Sequence, residues 1–133
     1  MLFDTSYTDK RITKQINEAV GKPFSWRDRW KIGGIGSRRM VITAISEEYK
    51  KYLKAEHYET MANIELRPKG IIIHFRHKLQ AYSWVMPFES LQMDSESGLE
   101  LKSVGKFVAF NNETDQSFIK KLGSRFESYD LKL

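Results

Sequence analysis

The chain of 133 residues, 41% hydrophobic and 13% aromatic, is long enough for one compact domain with its own core. It contains no cysteine, which excludes disulfides, thiolate nucleophiles and cysteine-ligated metals and is typical of a reducing compartment. No stretch approaches the roughly 18 apolar residues of a membrane-spanning helix, and no apolar leader follows a basic start, so we expect a cytoplasmic protein.

The formal net charge of +5 is concentrated in one part of the chain. Residues 22–39, KPFSWRDRWKIGGIGSRR, hold six cations against Asp28 alone, an excess equal to the net charge of the whole chain. We call this stretch the basic segment. Its cations are Lys22, Arg27, Arg29, Lys31, Arg38 and Arg39, and Trp26 and Trp30 lie among them.

The chain begins with a predicted helix and a loop. Helical spacing of apolar residues predicts an amphipathic helix over residues 8–20, with Thr8 as its cap and Gly21 just after its end. Residues 24–39 have no clean period and end in glycines, which predicts turns and loop, with a short helical turn over 26–30.

The next two stretches predict a strand and a helix. Residues 39–45, RMVITAI, are β-branched and apolar, as strands are. Residues 46–56 are rich in helix formers and predict a helix with Ser46 as its N-cap. One continuous helix across both stretches is the alternative.

From residue 58 onward, short apolar stretches are separated by turn residues, which is typical of an antiparallel meander. The predicted strands are ANIELR, IIIHFRH, AYSWVM, SLQM, LELK and KFVAF, with PKG as the first hairpin turn and Pro87 after the third strand. Residues 111–114 predict caps for a closing helix, whose apolar stripe contains Phe118, Leu122 and Phe126.

Together these elements predict an α+β domain. It has two N-terminal helical pieces, a mainly antiparallel meander or roll of six to seven strands, and a C-terminal helix that closes the sheet. We expect a single domain over residues 1–133, in which 1–57 form a helical and loop extension packed on the strands and helix of 58–129.

The order of these strands resembles a known family. A hairpin, a strand ending in an apolar-Pro-aromatic step, short strands and a final helix, carried by GIIIHFRHKLQAYSWVMPFESLQM and FVAF…FIKKLGSRF, are similar to the pleckstrin-homology-like roll, especially in bacteria. The resemblance covers about residues 58–129 and leaves the first 57 unexplained. It implies a binding or scaffolding module, because that fold usually lacks catalysis.

Three glycines in KIGGIGSRR, residues 31–39, raise the question of a phosphate-binding loop. Their spacing does not fit the P-loop, and Arg39 stands where a dinucleotide fingerprint needs its third glycine. Two interpretations remain. The loop amides, with Ser37, Arg38 and Arg39, donate to a phosphate, or the glycines form a mobile corner with solvated arginines.

Tryptophans interleaved with cations are typical of proteins that bind single-stranded nucleic acid or anionic membrane surfaces. We therefore predict a ligand-binding site at Lys22, Trp26, Arg27, Arg29, Trp30, Lys31, Arg38 and Arg39. The alternative is that both tryptophans pin the basic segment to the core, with the arginines solvated or paired to Asp28.

Histidines and carboxylates give no site of their own. His74 and His77 lie three apart on a strand and point to opposite faces, so they cannot share a metal, and His57 is distant and predicted to be helical. There is no nucleophile-elbow motif, and the strand glutamates, including Glu65, are interpreted as solvated faces. We predict no catalytic residue, metal or cofactor.

Tyr82 and Trp84 share one strand face, which is either an aromatic recognition patch or part of the core under the closing helix, and core packing is our prediction.

Three functions follow from these observations. The first is a non-catalytic binding module that engages an anionic lipid headgroup, nucleic acid or acidic protein surface through the basic segment. The second, from a different class, is a protein-interaction or self-assembly domain with an exposed sheet edge or apolar face. A small enzyme is the third.

Overall fold

One antiparallel sheet organises the fold of the computed structural model, which describes residues 1–53, 59–111 and 115–131. The strands are β1 (Leu2–Asp4), β2 (Met40–Ile45), β3 (Met61–Arg67), β4 (Gly70–His77), β5 (Gln80–Pro87), β6 (Leu91–Asp94), β7 (Leu99–Ser103) and β8 (Lys106–Phe110). The α-helices are α1 (Lys10–Val20), α2 (Trp26–Ile32) and α3 (Gln116–Leu131), and 3₁₀ helices cover Glu47–Tyr52 and Phe88–Ser90. The strand order is β1-β5-β4-β3-β2-β8-β7-β6.

Strand β2 joins the two halves of the sheet. Its first two residues pair with β3 and its last residues with β8, and the register shifts between Ile42 and Ala44. A bulge of this kind bends a strand. The inner faces of both halves therefore contribute to one core, for example through Ile73 and Leu101, and Leu122 of α3 belongs to the same cluster.

The outer face of β4 and β5 is covered by α1. Ile16 and Val20 of the helix form a second buried cluster with Ile72 and Val85 of the strands. Strand β4 is thus buried on both faces, which explains why three consecutive isoleucines occur there instead of an alternating pattern.

The predicted α+β class, antiparallel sheet and closing helix are confirmed, but the strand number is wrong. The sheet has eight strands, because β1 adds Leu2–Asp4 to the edge of β5. Three residues are too short to show an alternating pattern. Residues 1–57 therefore supply strands β1 and β2 to the sheet as well as helices. After β2 the chain forms a 3₁₀ helix over Glu47–Tyr52, so the continuous-helix alternative is wrong.

Two predicted caps differ from the structure. Helix α1 begins at Lys10 with Asp9, not Thr8, as its N-cap. The Ser46 hydroxyl accepts a hydrogen bond from the Phe107 N–H at 2.7 Å and does not cap the 3₁₀ helix that follows it.

At the start of α3, the carboxylate of Asp115 accepts a hydrogen bond from the Phe118 N–H at 3.2 Å. Residues 112–114, predicted as caps, and His57 lie outside the described residues. No helix in the described part of the chain is long and apolar enough to cross a membrane.

Candidate functional site

Helix α2 is the helical part of the basic segment. Ser25 caps its start, since the Ser25 hydroxyl accepts a hydrogen bond from the Asp28 N–H at 3.2 Å. Gly33 ends it in the left-handed conformation at φ 85°, and its N–H donates to the carbonyls of Arg29 and Trp30. A serine before the first turn and a glycine after the last explain why so short a helix forms here.

Both tryptophans of α2 lie in solvent. Trp26 is 84% exposed and Trp30 is 79% exposed. Ile32, two positions after Trp30 and so near the opposite side of the helix, packs against the main core together with Phe24. The interpretation of the tryptophans as anchors is therefore wrong, because Phe24 and Ile32 have that role.

Helix α3 fixes the position of α2. The Lys121 ammonium donates to the carbonyl oxygens of Gly33 at 3.0 Å and Gly34 at 3.1 Å. The Arg125 guanidinium lies 4.9 Å from the centre of the Phe24 ring. Positive charge thus meets the carbonyl end of α2, which is a favourable arrangement.

The glycine motif is part of the hydrogen-bonded backbone. The Gly34 N–H donates to the Arg29 carbonyl at 2.9 Å and completes the end of α2. Residues 35–37 then pair with β3, where the Ser37 N–H donates to the Ile64 carbonyl at 2.8 Å. The amides of Gly33, Gly34 and Ser37 thus donate to backbone carbonyls, which leaves them unavailable to a phosphate.

The predicted binding residues lie in four places. Lys22 lines a shallow depression over α1. Arg38 lies beside Asp115 at the start of α3, and Arg39 lines a groove on the outer face of the sheet. The other five are on α2 and form what we call the α2 surface: Trp26, Arg27, Arg29, Trp30 and Lys31.

Asp115 offsets part of the charge of Arg38. Its carboxylate accepts a hydrogen bond from the Arg38 N–H at 3.1 Å. Burial alone would raise the pKa of Asp115, but hydrogen bonds from Arg38, Phe118 and Ser117, together with the Arg38 charge, lower this pKa below its usual value. The carboxylate is therefore ionised at neutral pH, and Arg38 does not extend the α2 surface.

A line of polar side chains crosses the outer face of the sheet. The Ser83 hydroxyl lies 2.9 Å from the Thr5 hydroxyl and 3.0 Å from Nδ1 of His74. Nε2 of His74 lies 2.9 Å from one Glu65 oxygen, and the other oxygen accepts a hydrogen bond from Nε of Arg67. We call these five residues the polar chain.

Arg67 links the polar chain to α1. Its Nη1 donates to the Asn17 side chain at 3.1 Å and to the Gly21 carbonyl at 2.9 Å. The guanidinium is almost fully buried, and every one of these partners is an oxygen. The polar chain therefore fastens the end of α1 to β3.

Glu65 is the carboxylate of the polar chain, and its interpretation as a solvated face is wrong. Burial raises the pKa of Glu65, but hydrogen bonds from His74 and Arg67 outweigh it and lower this pKa below its usual value. Glu65 is therefore ionised at neutral pH and balances the Arg67 charge.

Ser83, His74 and Glu65 have the residue types of a hydrolase triad. Nucleophilic catalysis needs a serine hydroxyl that substrate can reach. Ser83 is only 2% exposed, and the Thr5 hydroxyl contacts it as well. The arrangement holds strands together and does not present a nucleophile.

The two strand histidines point to opposite faces of β4, as predicted. His74 belongs to the polar chain, whereas the His77 ring lies 6.0 Å from the Tyr52 ring, centre to centre. Within residues 1–53, 59–111 and 115–131, no group of three His, Asp or Glu side chains could hold a metal ion.

The predicted core packing of Trp84 is confirmed, since the side chain is 1% exposed. Its ring meets Tyr49 edge to face, with the ring centres 4.9 Å apart. Tyr82 stacks on Phe75 at 5.5 Å and contacts Tyr52 at 4.8 Å. The 3₁₀ helix after β2 thus supplies Tyr49 and Tyr52 to these ring contacts, and β4 supplies Phe75.

These observations define an α+β protein whose eight-stranded antiparallel sheet, closed by α3, carries a short basic helix with two exposed tryptophans. No protein-family model, curated protein or solved structure matches the chain. The role of the α2 surface is therefore inferred from its own residues.

Proposed function

We propose that the chain is a non-catalytic binding module that docks on an anionic lipid surface through the α2 surface. The observation that carries the proposal is the pair of tryptophans, 84% and 79% exposed, beside Arg27, Arg29 and Lys31 on one short helix. Indoles favour the headgroup region because they combine an apolar body with a polar N–H. Basic side chains are attracted to anionic headgroups.

A pleckstrin-homology-like scaffold is part of this proposal. The run of seven strands from β2 to β8, followed by the single helix α3, supports it. The tight enclosure of Ser83 supports a non-catalytic role. Since fold alone does not confer function, the α2 surface carries the argument.

The shape of the α2 surface favours a membrane over single-stranded nucleic acid. Nucleic-acid bases stack on aromatic platforms inside a basic groove. Trp26 and Trp30 lie one helical turn apart and protrude on the same side, so a flat partner can reach both at once. Burying two indoles requires no groove when the partner is a lipid interface.

Vesicle sedimentation tests the proposal. We expect binding to vesicles that contain phosphatidylglycerol, and this binding should weaken as salt is added because the charges are exposed. Each basic residue near an anionic surface contributes about 1 kcal/mol, so the double variant Arg27→Gln/Lys31→Gln should bind roughly thirtyfold less tightly. Trp26→Ser/Trp30→Ser should lose binding even at low salt.

Two control variants remove the same kinds of group elsewhere. Lys10→Gln/Lys14→Gln deletes two exposed charges of α1, and Tyr7→Ser/Leu79→Ser deletes two exposed apolar side chains. Both should bind like the parent. Equal losses in the controls, or equal binding to vesicles of phosphatidylcholine alone, would contradict a specific role of the α2 surface.

Two further measurements separate the other partners. A single-stranded oligonucleotide that binds while vesicles do not would make the chain a nucleic-acid module instead. Light scattering that shows a dimer in the parent and a monomer in Trp26→Ser/Trp30→Ser would assign the α2 surface to self-assembly.

A further inference from the structure

A groove of about 510 Å³ lies on the outer face of the sheet, beside the polar chain. Two of its cations belong to one hairpin, Arg76 near the end of β4 and Lys78 in the β4–β5 turn, and the third, Arg39 just before β2, is distant in sequence. Among the described lining residues, Glu59 is the only carboxylate. Three cations against one carboxylate leave a formal charge of +2 when His74 is neutral.

The cations of the groove have no anionic partner in the described part of the chain. The ion pairs found among residues 1–53, 59–111 and 115–131 involve other cations, so no carboxylate of these residues pairs with Arg39, Arg76 or Lys78. All three side chains are exposed along the groove. A ligand can therefore reach them without breaking an ion pair to the described residues.

A polar side chain that makes no hydrogen bond to the described residues lies in the same groove. The half-buried amide of Asn63 makes no side-chain hydrogen bond to the described residues, and it lies on the same face of the sheet as His74, its register partner on β4. A half-buried amide loses water contacts, so it gains from a ligand that bonds to it. Its NH₂ group adds a neutral donor to the two guanidinium groups and the ammonium group.

We infer that this groove binds a small phosphate-bearing anion. A phosphate monoester carries about −1.5 to −2 charges near pH 7, which matches the formal charge of the groove. Guanidinium groups form paired hydrogen bonds with phosphate oxygens, and two are present. The groove volume exceeds what a bare phosphate fills, so it accommodates the organic part of a small phosphomonoester as well.

Nuclear magnetic resonance titration of the full chain tests the inference. Inorganic phosphate and glycerol 3-phosphate should shift the backbone amide signals of Asn63 and Arg76 and reach saturation, and glycerol should not. Arg39→Gln and Arg76→Gln should each weaken the affinity for glycerol 3-phosphate at least tenfold. Both arginines are exposed, and the titration of the unaltered chain tests the inference even if a variant fails to fold.

A matched control is Arg11→Gln, which removes an exposed guanidinium from α1 and should leave the titration unchanged. A titration that never saturates, or an equal loss in Arg11→Gln, would overturn the inference by showing general charge attraction. Acetate that binds as tightly as phosphate would also overturn the phosphate assignment.

The proposals for the groove and for the α2 surface can be tested independently. Trp26→Ser/Trp30→Ser should abolish vesicle binding and leave glycerol 3-phosphate binding intact, whereas Arg76→Gln should do the reverse. A single variant that removes both activities would contradict two independent sites.

Discussion

Glu65 links two other polar side chains on the outer face of the sheet. Its carboxylate accepts hydrogen bonds from both His74 and Arg67, and the Arg67 side chain is only 10% exposed. Removing one partner of a buried ion pair leaves the other charge without compensation. We therefore expect the loss of the Glu65 carboxylate to destabilise both the sheet and the attachment of α1 to it.

We predict that Glu65→Gln lowers the free energy of unfolding at neutral pH by roughly 2–3 kcal/mol, measured by urea denaturation. The lowered pKa of Glu65 sets the pH dependence. The stabilisation by the ionised Glu65 carboxylate is complete above the pKa of this group in the unfolded chain, about 4.3. It is lost as the pH falls through the lower pKa of Glu65 in the folded chain. The gap between parent and variant should therefore be constant near neutral pH and shrink in acid.

The control for Glu65→Gln is Glu100→Gln, since Glu100 is exposed on β7. It should change stability by less than about 0.5 kcal/mol. A gap between parent and Glu65→Gln that widens in acid would contradict the assignment of an ionised, doubly hydrogen-bonded carboxylate.

Gly70 is required because α1 and β5 approach the backbone closely at this position. A methyl group there would lie 2.5 Å from the Met86 carbonyl oxygen and 2.5 Å from a Val20 methyl carbon. We predict that Gly70→Ala costs about 2–3 kcal/mol in thermal or urea unfolding. Gly123→Ala is the contrasting variant, because open space surrounds that position on α3, and it should stabilise by about 0.5–1 kcal/mol.

Hairpin register could have predicted part of the polar chain. A two-residue turn at Pro68 and Lys69 places Asn63 opposite His74, and therefore puts Glu65 diagonally beside that histidine on the same face. The next turn places His74 opposite Ser83 in the same way. The Arg67 contacts with α1 could not be predicted, because nothing in the sequence says over which strands a helix packs.

At the scale of elements, α2 shows what its seven residues could and could not reveal. Ser25 and Gly33 mark its two ends in the sequence, and the short helical turn predicted there is confirmed as a helix. The hydrophobic period of an amphipathic helix cannot be established over so few residues. Which side faces solvent depends on Phe24 and on α3, so the exposure of the tryptophans could not be predicted.

The β7–β8 turn carries a local conflict between residue type and conformation. Val104 has φ 51° and is 80% exposed, and it forms a two-residue turn with Gly105 at φ 76°. Branched side chains are disfavoured in this left-handed region, whereas Asn-Gly suits it. We predict that Val104→Asn stabilises the chain by roughly 1 kcal/mol in urea denaturation.

Leu79→Asn is the control for this prediction. Leu79 is 90% exposed at the second position of the β4–β5 turn. In this turn the positive φ belongs to Lys78 and not to Leu79. The variant Leu79→Asn also loses an exposed aliphatic side chain, but it relieves no backbone strain. Its free energy of unfolding should therefore equal that of the parent within about 0.5 kcal/mol. Equal stabilisation by both variants would mean that exposure, not backbone conformation, was the cause.

At the scale of the whole molecule, protection from solvent decreases from the centre of the sheet toward α2. Strand β4 pairs on both sides and is buried on both faces, by the main core and by α1. Helix α2 is held mainly by Phe24, Ile32 and the two Lys121 hydrogen bonds. Local opening of α2 should therefore cost much less free energy than global unfolding.

Hydrogen exchange measures this gradient and connects it with binding. We predict that β4 amides exchange only by global unfolding, whereas the amides of Gly33 and Gly34 exchange by local opening and are faster. Lys121→Met removes both hydrogen bonds to the end of α2, so it should accelerate exchange in α2 and leave β4 unchanged. Anionic vesicles should slow exchange in α2 of the parent, because a helix whose indoles are buried in the interface opens less often. If vesicles slow β4 and α2 by the same factor, the bound lipid stabilises the whole fold and the docking surface is not confined to α2.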